Sequence, residues 1–190
     1  MNTHWDAYYK KTKATHPRPL LAEAVAYAIP GNALDLGCGA GNDTHFLSAQ
    51  GFNTTSIDSN ADVQKHLPEA IISKVEDYSF PRNTYSIVNA QFTLPFCAPN
   101  QINKVMQHVE DSLLPRGLFV GQFFGPNDSW SGRSDMNFHT EAEVREYFKH
   151  YDILKFEEVE NTRPTALGDP HHWHVFHVIA AKQETEAGTD

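Results

Sequence analysis

Two kinds of hydrophobic pattern alternate along the chain. Short runs of adjacent apolar residues, such as "ALDL" at 33–36 and "GLFVGQFF" at 117–124, are typical of strands buried on both faces. Between such runs, apolar residues recur every three or four positions, which is the spacing of one helix face. The clearest case is the segment 100–114, whose apolar face consists of Ile102, Val105, Met106, Val109 and Leu113. This alternation predicts an α/β sheet with right-handed crossovers.

The patterns and their flanking residues predict the individual elements. Strands are predicted within "ALDL", "TTSID", "AIISKV", "YSIVNA", "GLFVGQFF", the segment 153–159 and "HVFHVIAA". Helices are predicted over 17–29, 43–50, 61–67, 100–114 and 140–151. Asp43 and Thr44 are expected to cap the second of these helices and Gly51 to end it. The polar segment 183–190 is expected to be a frayed tail.

Composition narrows the class of protein. A chain of 190 residues is suited to one domain, here 1–190. With 15 basic residues, 24 acidic residues and a formal charge of −9, it lacks the basic surface with which proteins bind nucleic acid or anionic lipid. No run approaches the roughly 18 apolar residues of a membrane span, and "MNTHWDAYYKK" has no apolar core of the kind that a signal peptide needs, so we expect a cytoplasmic protein. We also expect a monomer or weak homodimer that acts on a small molecule and binds neither nucleic acid nor a membrane. Cys38 and Cys97 are too few for a disulfide framework and are interpreted as plain thiols.

The stretch "DLGCGAGND", residues 35–43, is the strongest candidate for a binding site. It follows the first predicted strand, where an open α/β sheet binds its ligand, and its glycines let the backbone approach that ligand closely. A dinucleotide site would read G-x-G-x-x-G, whereas the spacing here is G-x-G-x-G, preceded by Asp35. A carboxylate there would repel a pyrophosphate but attract an ammonium or sulfonium group, both of which S-adenosylmethionine carries. Asp58 ends the second strand and suits the ribose hydroxyls of either cofactor.

The ordered motifs "ALDLGCGAGNDTHFL", "SID", "VEDYSF", "YSIVNAQFTLPF" and "LLPRGLFVGQFFG" resemble those of class I S-adenosylmethionine-dependent methyltransferases. They resemble in particular a small bacterial branch related to the tellurite-resistance methyltransferases. The resemblance covers residues 5–182. It implies a Rossmann-like, seven-stranded, mostly parallel sheet of order 3-2-1-4-5-7-6, with the last strand antiparallel and helices on both faces. It also implies a cofactor lying across the ends of the first four strands.

The resemblance further implies a role for individual residues. Asp35 would bind the methionine ammonium directly or through water, Asp58 the ribose, and the 76–78 segment the adenine. Asp77 is preferred over Glu76 for the adenine amine, although the register of these two acids stays open. The full set expected at the cofactor is Asp35, Gly37, Cys38, Gly39, Asp43, Asp58, Ser59, Glu76, Asp77, Tyr78, Ala90, Gln91 and Phe92.

The methyl acceptor is less well defined by the sequence. Amine- and base-methylating relatives often carry Asn/Asp-Pro-Pro-Tyr/Phe after the fourth strand, and residues 89–92 read Asn-Ala-Gln-Phe instead, which disfavours a DNA base or protein amide. A soft anion such as a thiolate, selenide or telluride needs little beyond alignment with the methyl group. An alcohol or phenol would need a general base, and no convincing one is found, since His16 and His139 are interpreted as surface or structural residues. The catalytic residue is therefore unassigned.

Aromatic residues suggest where an acceptor would bind. Trp5, Tyr8 and Tyr9 form a lid-like N-terminal segment, 1–16, or simply a helix packed on the domain. Trp130 and Arg133 lie in a long polar loop after the fifth strand, a position that commonly carries substrate specificity.

The segment "DPHHWHVFH" contains His171, His172, His174 and His177, a composition that suggests metal. On a strand at most two of these would share a face, fewer than zinc requires, so no metal is expected and the segment is interpreted as a structural last strand. Three functional classes remain. They are a methyltransferase with a small acceptor, a non-catalytic protein of the same fold that binds S-adenosylmethionine or S-adenosylhomocysteine, and a nicotinamide oxidoreductase.

Overall fold

The computed structural model describes residues 3–12 and 16–184, with side chains from Ala7 onward, and its centre is one seven-stranded sheet. The strands are β1 (Asn32–Leu36), β2 (Asn53–Asp58), β3 (Ile71–Ile72), β4 (Tyr85–Ala90), β5 (Leu113–Phe124), β6 (Tyr151–Thr162) and β7 (His172–Lys182). The helices are α1 (Thr3–Thr12), α2 (Pro19–Val25), α3 (Asn42–Ala49), α4 (Ile102–Ser112) and α5 (Glu141–Tyr147).

The strand order is β3-β2-β1-β4-β5-β7-β6, as the sequence resemblance implies. The first five strands are parallel, and β7 pairs antiparallel with both β5 and β6. The expected α/β, Rossmann-like fold is confirmed.

Helices cover both faces of the sheet. On one face Leu21 of α2 and Leu47 of α3 pack against the sheet, and on the other Val105 of α4 and Val144 of α5 do so. Consecutive residues of β5 point into these two opposite cores, which explains why the strand is apolar at nearly every position.

Several elements differ in extent from the sequence prediction. The third strand is only Ile71–Ile72, because it pairs with two residues of β2 before the chain turns into a 3-10 helix at Val75–Asp77. The segment Ala61–Lys65 is a 3-10 helix, and α2 ends at Val25. The strand predicted at 153–159 is longer, because β6 pairs with β7 along nearly all of its length.

Two predictions about element ends are wrong. Asp43 and Thr44 lie inside α3, and its N-cap is Gly41, in the left-handed region at φ 83°. Gln183 is not frayed, because its backbone N–H donates to the carbonyl of His150 and its side chain to Asp152. The rest of the predicted tail, 185–190, lies outside the described residues. Over the residues that are described, no helix combines the length and apolarity needed to cross a bilayer.

Parallel pairing brings the functional candidates to one edge of the sheet. Asp35 near the end of β1 is in register with Ser56 of β2 and Asn89 of β4. The carboxyl ends of β1, β2 and β4 therefore lie side by side, and the loops that leave them share one surface.

A substitution at Gly121 tests the close contact between β4 and β5 at this edge of the sheet. A Cβ on Gly121 would lie 2.9 Å from the carbonyl oxygen of Ala90 and 2.7 Å from Cζ of Phe119, so Gly121→Ala forces the two strands apart. We expect a loss of about 1–3 kcal/mol in the free energy of unfolding, measured by urea denaturation. Gly132→Ala is the control, because a Cβ there meets nothing within 4 Å, and it should change stability by less than about 0.5 kcal/mol. Equal stability of both variants would contradict the tight packing at Gly121.

Candidate functional site

A cavity of about 1050 Å³ opens at the carboxyl edge of the sheet. Its walls come from the glycine turn after β1, the ends of β2 and β4, helix α1, the loop after β5 and the loop before β7. The predicted site residues that line it are Tyr8, Tyr9, Gly37, Cys38, Gly39, Asp43, Asp58, Ser59, Glu76, Gln91, Phe92, Trp130 and Arg133. The structure therefore brings most of the predicted cofactor and substrate residues into one space.

The glycine turn exposes backbone to this cavity. Gly37 and Gly39 have φ of 68° and 52°, which residues with a side chain rarely adopt. A Cβ on Gly37 would collide with the side chain of Thr93, and one on Gly39 would lie 3.3 Å from the ring of Tyr9. The turn is pinned to the neighbouring strand because the N–H groups of Gly37 and Cys38 donate to the carbonyl of Ile57.

Asp58 holds the second strand end against that turn. One carboxylate oxygen accepts from the N–H of Gly39 at 3.0 Å, and the other accepts from the N–H of Asn60 at 2.9 Å and the hydroxyl of Tyr9 at 3.0 Å. Burial, followed by the charge of Asp58, raises the pKa of Tyr9, so its hydroxyl remains a donor. An ordered carboxylate thus lies at the cavity wall beside exposed backbone.

Asp35 does not reach the cavity. It is 2% exposed, and its carboxylate accepts from the hydroxyl of Thr44 at 2.6 Å and the side-chain amide of Asn89 at 2.8 Å. Burial, followed by the charge of Asp43, raises the pKa of Asp35 to about 6. The oxygens of Asp35 are enclosed by α3 and β4, and Asp35 is absent from the cavity lining, so its contact with the methionine ammonium, directly or through water, stays a prediction.

Asp43 is the acid of the glycine turn that faces the cavity. Its carboxylate forms an ion pair with the guanidinium of Arg18 at 2.9 Å and accepts from the backbone N–H of Arg18 at 3.0 Å. The guanidinium of Arg18 also lies 5.5 Å from the ring centroid of Phe92. Arg18 was not predicted, since it precedes α2 in the sequence and no motif marks it.

Of the two adjacent acids near β3, only one lies at the cavity. Glu76 lines the cavity, and its carboxylate accepts from the N–H of Ala98 at 2.6 Å. Asp77 and Tyr78 do not line it, and the hydroxyl of Tyr78 pairs with that of Tyr85 at 2.9 Å. The 3-10 turn rotates Glu76 toward the ligand space, which periodicity cannot show for so short an element.

The segment after β4 contributes two residues rather than three. Ala90 is buried in the core, whereas Gln91 and Phe92 line the cavity. Phe92 has φ 54°, an uncommon conformation for a bulky residue, and its N–H donates to the side chain of Gln122 at 3.1 Å. Strained positions of this kind cluster at functional sites.

The far wall of the cavity is aromatic. Trp130 lies 6.2 Å from Phe96 between ring centroids and belongs to a cluster that also holds Phe92 and Trp173. Arg133 forms an ion pair with Asp135 at 2.8 Å on the rim. Of the N-terminal aromatics, Tyr8 and Tyr9 line the cavity, and the side chain of Trp5 lies outside the described residues.

The predicted histidines and the two cysteines differ in their exposure to the cavity and in the effect of burial on their pKa values. His16 lines the cavity, whereas His139 is buried beside the hydroxyl of Tyr147 at 3.2 Å, and burial lowers its pKa. Burial raises the pKa of Cys38, and that of Cys97 to about 12, so both thiols in the cavity wall stay protonated. Among the described residues no group of three His, Cys, Asp or Glu side chains is placed to hold a metal.

His171 also lines the cavity and was not predicted as a site residue. Its side chain bonds the carboxylate of Asp128, from the loop after β5, at 2.9 Å. The sequence signal was the histidine-rich run, which we interpreted only as a structural strand.

The sequence is similar to that of known proteins. The family model described as "Tellurite resistance protein TehB" matches residues 1–166. A curated relative, Hemagglutinin 1 of Eikenella corrodens, is 24% identical over 172 residues, which are 80% of this chain and 54% of that protein. The chain thus spans about half the length of that relative.

Solved structures share the fold at low sequence identity. TehB from Haemophilus influenzae superimposes with a TM-score of 0.79 at 19% identity, over 94% of this chain and 66% of that chain. An S-adenosylmethionine-dependent methyltransferase from Methanosarcina mazei superimposes with a TM-score of 0.69 at 18% identity. The match covers 90% of this chain and 100% of that chain. The 1,6-didemethyltoxoflavin-N1-methyltransferase of Burkholderia thailandensis, solved with S-adenosylhomocysteine, superimposes with a TM-score of 0.63 at 21% identity. The match covers 87% of this chain and 79% of that chain.

The strand order, the glycine turn at the sheet's carboxyl edge and a family match over most of the sequence lead to one assignment. The chain belongs to the tellurite resistance protein TehB family and has the fold of class I S-adenosylmethionine-dependent methyltransferases.

Proposed function

We propose that this protein is an S-adenosylmethionine-dependent methyltransferase whose acceptor is a small molecule with a soft sulfur, selenium or tellurium nucleophile. The observation that carries the proposal is a single cavity with two different ends. One end is formed by glycine backbone and fixed carboxylates, and the other by aromatic side chains. Its volume, about 1050 Å³, is at the upper end of ordinary ligand pockets and suits a nucleoside cofactor with a small acceptor beside it.

The polar end of the cavity fits the parts of S-adenosylmethionine. Asp58 would accept from the ribose hydroxyls, and Glu76 from the adenine amine. An α-amino acid carries an ammonium and a carboxylate, and the cavity offers the carboxylate of Asp43 next to the guanidinium of Arg18. We therefore assign the direct contact with the ammonium to Asp43, while Asp35 fixes the first turn of α3 through its bond with Thr44.

The cofactor supplies a methyl group on a sulfonium, which is already an activated leaving group. The chain has to align the acceptor with that methyl and exclude water, effects that together can contribute about 7–11 kcal/mol. Phe92 and Trp130 give the cavity aromatic faces that attract a positive sulfonium and exclude water. The two cysteine thiols of the wall stay protonated, so they do not compete with the acceptor as nucleophiles.

Replacing the central carboxylate tests the cofactor assignment. Asp58→Asn removes the charge that accepts ribose hydroxyls, and hydrogen bonds to charged groups contribute about 1.5–3 kcal/mol, so S-adenosylhomocysteine should bind about 10- to 100-fold more weakly in calorimetric titration. Asp62→Asn is the control, because Asp62 pairs with Lys65 outside the cavity. Unchanged affinity of Asp58→Asn would contradict the ribose assignment. Binding of NADH in place of S-adenosylhomocysteine would favour an oxidoreductase.

The neighbouring acids give a second, matched test. Glu76→Gln should weaken S-adenosylhomocysteine about 10-fold, since only Glu76 of the pair lines the cavity, and Asp77→Asn should leave the affinity unchanged. If Asp77→Asn weakened binding in the same titration and Glu76→Gln did not, the adenine contact would be assigned to Asp77.

Turnover separates the enzyme from a binding protein of the same fold. We expect release of S-adenosylhomocysteine with thiols or with reduced selenium and tellurium species, and slower release with phenols and amines. The measurement is product formation by mass spectrometry across a panel of thiols, selenite, tellurite, phenols and amines. Tight cofactor binding with no turnover on any of them would support the non-catalytic alternative.

A further inference from the structure

The Asp128–His171 pair is held in one fixed arrangement. The Nε2 atom of His171 lies 2.9 Å from Oδ1 of Asp128, and the two side chains are 2% and 0% exposed. Asp128 also accepts from the backbone N–H groups of Trp130 and His174. Because a carboxylate accepts hydrogen bonds and does not donate them, this contact assigns a proton to Nε2 of His171.

The other ring nitrogen of His171 is then the one with a free lone pair. Among the described residues Nδ1 of His171 has no hydrogen-bond partner. It also does not belong to the fully buried polar atoms that lack one. The residue itself lines the cavity. The lone pair of Nδ1 is therefore available to a ligand.

Two indole rings fix the plane of this imidazole. The ring of His171 lies 4.4 Å from that of Trp130 and 4.1 Å from that of Trp173, between centroids. Trp130 in turn belongs to the aromatic wall of the cavity. The imidazole is thus held in an apolar, narrow place rather than in open solvent.

The neighbouring histidines do not share this arrangement. His172 is half exposed and bonds Glu160 and Thr162, and both ring nitrogens of His174 are engaged, with Glu158 and with the N–H of Asn127. Neither lines the cavity. Within the histidine-rich run, only His171 both bonds a buried carboxylate through one ring nitrogen and lines the cavity.

We propose that His171 is the general base of the acceptor subsite and that the acceptor enters as a neutral thiol or selenol. This rests on the methyltransferase function proposed above. The proton of the S–H or Se–H bond passes to Nδ1 of His171, and the electron pair left on the chalcogen forms the bond to the methyl carbon. The bond from methyl carbon to sulfonium sulfur breaks, and its electrons leave a neutral thioether. Asp128 stabilises the imidazolium until the proton is released to solvent.

Two thiols of different acidity test the proposal. Thiophenol is largely ionised in mildly alkaline buffer and needs no base, whereas benzyl mercaptan is largely protonated and does. His171→Gln keeps a donor for Asp128 but has no basic nitrogen. We expect it to lower kcat/KM for benzyl mercaptan about 10²- to 10⁴-fold, and for thiophenol by less than about 10-fold. Affinity for S-adenosylhomocysteine should not change.

Controls separate a chemical role from a structural one. His172→Gln, next to His171 but outside the cavity, should behave as the unmodified protein with both thiols. In His171→Ala, added imidazole should restore part of the benzyl mercaptan rate, because the variant leaves space between the two indoles.

Three outcomes would overturn the proposal. An equal loss with both thiols would assign His171 a structural role, and no loss with either would exclude it as a base. An unmodified protein that binds S-adenosylhomocysteine but methylates neither thiol would overturn the acceptor class while leaving the cofactor assignment standing. Failure to bind S-adenosylhomocysteine would instead overturn the proposed function itself.

Discussion

The buried carboxylate of Asp35 is the interaction on which the cavity depends. It faces no solvent, and it accepts hydrogen bonds from Thr44 in the first turn of α3 and from Asn89 near the end of β4. These bonds tie three elements together at the carboxyl edge of the sheet. Because α3 and β4 are fixed in this way, Asp43 and Gln91 are held in the wall of the cavity. A buried acid outside the cavity lining therefore helps to place the groups that form this lining.

The same edge of the sheet creates a second, chemically different wall. β7 runs antiparallel between β5 and β6, so the segment that enters β7 lies beside the loop that leaves β5. This contact brings Asp128 to His171 although they are far apart in the chain. The aromatic residues of both segments then pack around the imidazole. Antiparallel insertion of the last strand thus builds the wall that we assign to the acceptor.

Charge is distributed unevenly between the two walls. Asp43, Asp58 and Glu76 line the cavity on the side of the first four strands, together with Arg18, which pairs with Asp43, and Lys74. The opposite side is aromatic, with the Arg133–Asp135 pair at its rim. An acidic and backbone-rich end suits a cationic, phosphate-free cofactor, and an aromatic end suits a soft, weakly hydrated acceptor. This division supports methyl transfer better than hydride transfer from a dinucleotide with a pyrophosphate.

The sequence by itself determined the features that depend on local pattern and backbone geometry. Hydrophobic periodicity predicted the alternation of strands and helices, and the glycine spacing predicted a close backbone approach after β1. Resemblance to a known family supplied the strand order and placed Asp58 at the cavity. The periodicity and the glycine spacing can be read within a short window, because neighbouring residues fix them, whereas the strand order came from the resemblance over most of the chain.

Only the tertiary structure decided which side chains line the cavity. Whether Glu76 or Asp77 lines the cavity depends on a rotation of one residue within a short turn, and whether Asp35 or Asp43 does so depends on how β1 and α3 pack. The pairing of Asp128 with His171 depends on two loops that meet only when the sheet is complete. Hydrophobic periodicity indicates which residues are buried, but it does not indicate which residues they contact. Contacts between distant segments, set by strand order and register, therefore determined the chemistry of the site.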